Sequence, residues 1–169
     1  MMAMVLLDDT RLLEVARSAI LAEVLGKPMA TLRRDAPPQP VFITVEVGGK
    51  VRACRGSLSV RTGSLEEEVA LAARGAAGFD PRYGRLTPAK VAEMRVTVTV
   101  IEAQKPIEDA TRLRPEDGLA LISGGKTGVV LPWEGKEAKV RLAWAYRKAG
   151  VAQGAPARLI LLTARRSRS

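Results

Sequence analysis

Residues 41–56 read VFITVEVGGKVRACRG, and this stretch decides the fold. β-branched side chains dominate Val41–Val47, a composition that favours a strand. Gly48 and Gly49 follow, and because both tolerate positive φ they predict a two-residue hairpin turn. The chain should then return antiparallel over Lys50–Gly56. The sequence therefore predicts a β-hairpin at this point.

The turn also predicts which side chains face each other across the hairpin. With a regular two-residue loop, Val45 lies opposite Arg52. Two residues further along, Ile43 lies opposite Cys54 on the same face. We therefore expect Arg52 and Cys54 to share one face and Arg55 to point to the other.

Apolar spacing and end signals predict the other elements. Helices are predicted over 8–25, from Ser64 to 74–77, from Thr87 onwards and over 136–149. Strands are predicted over 94–101, 119–122, 129–131 and 159–163. Because the strands form hairpins with helices between them, the predicted fold is α+β, with a mainly antiparallel sheet flanked by helices.

Length and composition limit the class of protein. The 169 residues, 47% hydrophobic and 27% charged, are ordinary for one globular domain, and we expect a single domain over 1–169. Asp8 and Asp9 interrupt the apolar start of the chain. No apolar run approaches the roughly 18 residues of a membrane span. We therefore expect a cytoplasmic protein with no membrane association.

Residue counts exclude several kinds of chemistry and favour a charged partner. Histidine is absent and Cys54 is the single cysteine, which excludes His-dependent triads, intrachain disulfides and the usual zinc and iron sites. No metal or other cofactor is predicted. The net charge of +9 suits an anionic partner such as nucleic acid or an acidic protein surface. Part of this charge lies in residues 164–169, which we expect to form a flexible basic tail.

Cys54 is the leading candidate for chemistry. Arg52 and Arg55 lie close to it in the sequence, and a nearby guanidinium group favours the thiolate form of a cysteine. The alternative is that Cys54 packs in the core beside Ile43 and Val45, where burial keeps a thiol inert. Both interpretations stay open from the sequence.

Two acidic motifs offer proton-handling groups in the absence of histidine. Asp80, in Asp80-Pro81-Arg82, and Glu68, in the run 66–68, are candidate general bases. The simpler alternatives are an ion pair that fixes a loop and the solvated start of a helix. The glycine-rich segment 123–128 lacks the spacing of a P-loop, so a hairpin turn is predicted there rather than a phosphate site.

The order of these motifs resembles the AMMECR domain family. The family signature Leu-Arg-Gly-Cys-Ile-Gly is similar to Val51–Gly56, where Ala53 replaces the inner glycine and Arg55 replaces the isoleucine. Other blocks that resemble the family follow in the same order, at 65–69, 80–82, 86–88, 106–107, 117–119, 128–132 and 147–150. Ordered agreement of several weak motifs across roughly residues 10–151 is more specific than any one of them.

The resemblance implies a fold of two unequal subdomains around a cleft, with the arginine–cysteine motif near that cleft. It also implies an enzyme, or an accessory subunit of one, in a modification system with Memo-type and radical S-adenosylmethionine proteins. The alternative is a non-catalytic module that binds nucleic acid or protein through its basic surface. The candidate catalytic residues are Cys54, Arg52, Asp80 and Glu68. The candidate binding residues are Arg55, Gly56 and Arg82.

Overall fold

The computed structural model describes residues 2–134 and 137–169. The elements in chain order are α1 (Met2–Leu25), β1 (Val41–Val47), β2 (Lys50–Gly56), α2 (Leu65–Gly78), α3 (Pro88–Ala92), β3 (Arg95–Ile107), a 3-10 turn (Ala110–Arg112), β4 (Gly118–Ser123), β5 (Lys126–Val130), α4 (Ala138–Ala149) and β6 (Arg158–Arg168). The predicted start of the last helix at Lys136 lies outside the described residues.

The strands confirm the predicted fold class. They are hydrogen-bonded in the order β2-β1-β3-β6-β4-β5. The pairings of β1 with β2 and β3, and of β4 with β5 and β6, are antiparallel. The protein is therefore an α+β protein with an antiparallel sheet.

The chain divides into two compact units of unequal size. The first comprises the described residues up to Val100 together with Arg166–Ser169, and the second comprises Ile101–Arg165. The first unit contains α1, α2, α3, β1 and β2, and the second contains β4, β5 and α4. All the catalytic and binding residues predicted from the sequence, which lie between positions 52 and 82, belong to the first unit.

The core of the first unit forms between two helices and the hairpin. The apolar face of α1 is buried as its spacing predicts, at Leu12, Val15, Ala16, Ala19 and Ile20. Ser64 caps α2, because its side-chain oxygen accepts a hydrogen bond from Glu67 N at 3.3 Å.

A buried carboxylate also ties α2 to α1. Glu66 accepts hydrogen bonds from Arg11 Nη2 at 2.9 Å and from Arg33 N at 2.9 Å. Arg11 Nη2 donates in addition to Thr31 O at 2.6 Å. The alternative of a solvated helix start is therefore wrong for Glu66, which joins two helices and the connector between α1 and β1.

In the second unit, α4 packs tightly on the β4–β5 hairpin. A Cβ on Gly128 would lie 2.1 Å from Ala145 O, so only glycine allows this approach of strand and helix. Gly124 and Gly125 form the turn with φ of +55° and +80°. The predicted hairpin at 123–128 is thus confirmed.

The end of the chain differs from the prediction. Residues 164–168 are not a flexible tail but continue β6. Arg168 lies 3.7 Å from Glu46 Oε1, and Arg165 lies 4.0 Å from Glu102 Oε2. Ser169 N donates to Val96 O at 3.0 Å. Hydrogen bonding and these two ion pairs hold a segment whose composition alone suggested disorder. Among the described residues, no helix is long and apolar enough to cross a membrane.

Candidate functional site

A β-bulge in the first hairpin determines where Cys54 lies. Val45 pairs with Ala53 and Glu46 pairs with Val51, so Arg52 is the extra residue on β2. The predicted pairings of Val45 with Arg52 and of Ile43 with Cys54 are therefore wrong.

The bulge shifts every pairing beyond it by one residue. Cys54 lies opposite Thr44 instead of Ile43, and its Sγ is 3.5 Å from Thr44 Oγ1. Ala53 takes the core position and is fully buried. Cys54 is a half-buried cysteine, outside any disulfide, on the opposite face, so the alternative of a core residue packed beside Ile43 and Val45 does not hold.

Asp80 and Arg82 hold the peptide groups of Cys54 from the loop after α2. Cys54 N donates to Asp80 Oδ2 at 3.0 Å, and Arg82 Nη2 donates to Cys54 O at 2.6 Å. Arg82 also binds Asp80 directly, with its backbone N and Nε 3.1 Å from Oδ1 and its Nη2 3.0 Å from Oδ2. We call this arrangement of Asp80 and Arg82 on Cys54 the Asp80–Arg82 clamp.

The electrostatics of the clamp favour permanent charge on both residues. Burial by itself raises the pKa of Asp80, but the hydrogen bonds from Arg82 and from Cys54 N outweigh it and hold the pKa below its ordinary value. The hydrogen bond with Asp80 is the main cause that raises the pKa of Arg82, and electrostatic interaction with Cys54 adds to this effect. Asp80 therefore suits the positioning of Cys54 better than proton transfer.

Arg82 is a cation that the structure places beside Cys54, since its Nη2 donates to Cys54 O. Its side chain is half exposed, and its guanidinium carbon lies 5.2 Å from the centre of the Tyr83 ring. The prediction that Arg52 lies beside the thiol assumed that side chains alternate regularly along β2. Arg52 occupies the bulge position, where this alternation is broken. Sequence spacing alone could not reveal the contact of Arg82, because Arg82 reaches Cys54 from 28 residues away.

Glu68 is engaged with a different part of the chain. Its Oε1 accepts hydrogen bonds from Arg61 N and Thr62 N, the latter at 2.6 Å, and its Oε2 lies 3.9 Å from Arg61 Nε. Glu68 is buried, which corrects the alternative of a solvated helix start. Its contacts fix the loop before α2.

On the other face of β2, Arg55 lies against α2. Its Cβ is 3.7 Å from the position that a Cβ on Gly75 would occupy. As predicted, Arg55 and Cys54 thus point to opposite faces. Arg55 and Gly56 belong to the lining of a pocket of about 280 Å³, which is completed by Arg61, Leu71, Ala72, Arg74, Gly75 and Phe79. We call it the arginine pocket.

Gly56 has a steric reason to be glycine. A Cβ there would lie 2.2 Å from Val41 O and 2.6 Å from the Phe42 ring. The close approach of β1 and β2 therefore accounts for this residue without a ligand.

The sequence did not identify Arg61 or Arg74 as candidates. Arg74 and Leu71 are three residues apart and share a helix face, but only the tertiary structure brings that face to Arg55. Among the described residues, no group of three or more His, Cys, Asp or Glu side chains is placed to hold a metal ion.

Comparison with known proteins identifies the family. The sequence model of the AMMECR1 family matches residues 13–163. The chain belongs to the AMMECR1 family. A protein of Methanothermobacter thermautotrophicus is 30% identical over 130 residues, which are 73% of this chain and 66% of that protein. A protein of Thermotoga maritima is 28% identical over 93 residues, which are 54% of this chain and 53% of that protein. These matches span between half and two thirds of the relatives' length.

A solved structure shares the fold of this AMMECR1-family chain. The crystal structure of the uncharacterised protein PH0010 from Pyrococcus horikoshii aligns with a TM-score of 0.75, covering 95% of this chain and 90% of that one. The two sequences are 22% identical, so the similarity establishes the fold alone.

Proposed function

We propose that this AMMECR1-family protein is an enzyme, or an accessory subunit of one, that uses the Cys54 thiol in a modification reaction. The observation that carries the proposal is the Asp80–Arg82 clamp, which binds both the N–H and the C=O of Cys54. Burying an ionised carboxylate is costly unless it is fully hydrogen-bonded. Here a buried carboxylate and its arginine partner fix the peptide groups of a half-buried cysteine. A preorganised thiol requires such a fixed position.

In this proposal the roles differ from residue to residue. Cys54 supplies the thiolate, as a nucleophile or as a ligand. Arg82 provides positive charge next to it, and Asp80 is a positioning residue that orients Arg82 and the Cys54 peptide. Thr44 Oγ1, 3.5 Å from the sulfur, offers a hydroxyl for hydrogen bonding to the thiol or thiolate.

A purely structural role of the clamp predicts different behaviour. β2 is an edge strand of the sheet, and exposed strand edges are often covered by other parts of the chain. In that case the clamp only satisfies edge hydrogen bonds, and Cys54 reacts like any ordinary thiol.

The pH dependence of Cys54 alkylation by iodoacetamide in the native protein separates these roles. If Arg82 favours the thiolate, labelling has a pH midpoint below the roughly 8.5 of a model thiol, and Arg82→Gln moves it upward. Arg52→Gln is the matched control, and it should leave the midpoint unchanged. Equal midpoints in wild type and Arg82→Gln, or labelling only after denaturation, would refute the proposal.

The AMMECR resemblance extends the proposal to partners, namely Memo-type and radical S-adenosylmethionine proteins. Their support comes from the family resemblance, not from a surface of this chain. Co-purification of the native chain with such a protein from the same genome, and loss of product formation in Cys54→Ser, are the expected results. Product formation that persists in Cys54→Ser would remove the thiol from the reaction.

The alternative of a nucleic-acid- or protein-binding module draws on the net charge of +9. At the chain end the positive potential of Arg165 and Arg168 is partly offset by Glu102 and Glu46, which lie close to them. Titration with labelled DNA and RNA at low salt and at about 0.2 M tests this alternative, which requires salt-sensitive binding.

A further inference from the structure

We propose that the arginine pocket binds a small phosphate ester that carries an apolar substituent. Three arginines, Arg55, Arg61 and Arg74, line this one pocket between β2 and α2. This site is independent of the Cys54 chemistry, because Cys54 points to the opposite face of β2.

The charge of the pocket is largely uncompensated from within the protein. No acidic residue lines it among the described residues, and Arg55 and Arg74 form no ion pair there. Arg61 Nε lies 3.9 Å from Oε2 of Glu68, whose Oε1 already accepts two backbone hydrogen bonds. Several positive charges on one concave surface favour the binding of an anion. A phosphate with two negative charges complements several guanidinium groups better than a carboxylate does.

The remaining lining gives the pocket its depth and an apolar side. Gly56, Ala72 and Gly75 leave space where larger side chains would fill it. Leu71 and Phe79 are unusually exposed for apolar residues, at 38% and 61%. A ligand that combined an anionic head with an apolar group would cover these side chains and contact the arginines at once.

The size of the pocket limits the ligand. Its volume of about 280 Å³ is just below the range for small-molecule sites, roughly 300–1,000 Å³. A single small ester fits this space. The site is not an extended groove of the kind that tracks a nucleic-acid backbone.

Calorimetric titration of the full chain with phenyl phosphate tests the proposal. We expect saturable binding with a dissociation constant of about 1 mM or tighter, weaker binding of inorganic phosphate, and still weaker binding of benzoate. Arg55→Gln and Arg74→Gln should each weaken phenyl phosphate binding about tenfold, the effect of one charge-assisted hydrogen bond. Phe79→Ser should weaken phenyl phosphate binding but leave inorganic phosphate binding unchanged.

The matched control is Arg147→Gln, which removes another exposed arginine, from helix α4 in the other unit. It should leave binding unchanged, and thermal melting of each variant confirms that it is folded. The proposal is overturned by no saturable binding up to about 10 mM, by an equal loss in Arg147→Gln, or by benzoate binding as tightly as phenyl phosphate. Cys54→Ser should bind phenyl phosphate like wild type, so failure of the thiol proposal is distinguishable from failure of this one.

Discussion

Replacing Asp80 with asparagine should destabilise the protein by about 2–3 kcal/mol. The buried carboxylate accepts four hydrogen bonds, one from Cys54 N and three from Arg82. Asparagine keeps one acceptor oxygen, so two of the four bonds are lost and an NH2 group faces donors in their place. Hydrogen bonds to charged groups contribute roughly 1.5–3 kcal/mol each, and the half-exposed Arg82 recovers part of this loss by hydration.

Urea denaturation followed by circular dichroism measures this effect, and a fall in melting temperature of about 5–10 °C should accompany it. Asp35→Asn is the matched control, because Asp35 is an exposed residue of the connector before β1. A change of less than about 1 kcal/mol in Asp80→Asn would refute the assignment of Asp80 as the residue that holds this loop on β2.

The same variant has a defined pH signature. Because the folded-state pKa of Asp80 lies below the ordinary 3.8, its contribution to stability is fully present above that value. The contribution is lost as the pH falls through the folded-state pKa. The stability difference between wild type and Asp80→Asn should therefore be constant near neutral pH and shrink in strong acid. If the stability difference between wild type and Asp80→Asn instead grew as the pH fell, the pKa of Asp80 would not be lowered in the folded state.

Two glycines of the site should respond in opposite ways to a change to alanine. Gly56→Ala should lower the free energy of unfolding by about 2–3 kcal/mol, because its Cβ would lie 2.2 Å from Val41 O and β1 would have to move. Urea denaturation measures this change. Gly63→Ala is the control, because a Cβ there makes only an ordinary contact. Gly75→Ala should instead stabilise the protein by about 0.5–1 kcal/mol, because its Cβ meets Arg55 at an ordinary 3.7 Å and alanine is the better helix former. A loss of stability in Gly75→Ala would show that Arg55 packs more tightly on α2 than this distance implies.

The elements that sequence predicted well carry their signals locally. Gly48-Gly49 between two β-rich runs gave the hairpin with the bounds that the structure shows, Val41–Val47 and Lys50–Gly56. Ser64 followed by Glu67 gave the start of α2 in the same way. In each case the residues that determine the structure lie within a few positions of one another.

The wrong predictions concern features that depend on residues far apart in the sequence. The bulge at Arg52 has no mark of its own in the sequence, since neither glycine nor proline stands there. The bulge buries Ala53 and allows the Cys54 peptide to contact Asp80, which is 26 residues away. Similarly, β6 continues past Thr163 because of pairing and ion pairs with residues far earlier in the chain.

The bulge also determines which surface each residue of this short motif faces. In a regular hairpin Arg52 and Cys54 would share a face, and the motif would form a single cluster of thiol and guanidinium. With one residue inserted, Ala53 turns into the core, Cys54 turns toward Thr44 and the Asp80–Arg82 clamp, and Arg55 turns toward α2. Arg82 from a distant loop therefore contacts the Cys54 peptide, while Arg55 lines the arginine pocket. A substitution that removed the bulge should consequently disturb both surfaces, whereas Arg82→Gln and Arg74→Gln should each disturb only one.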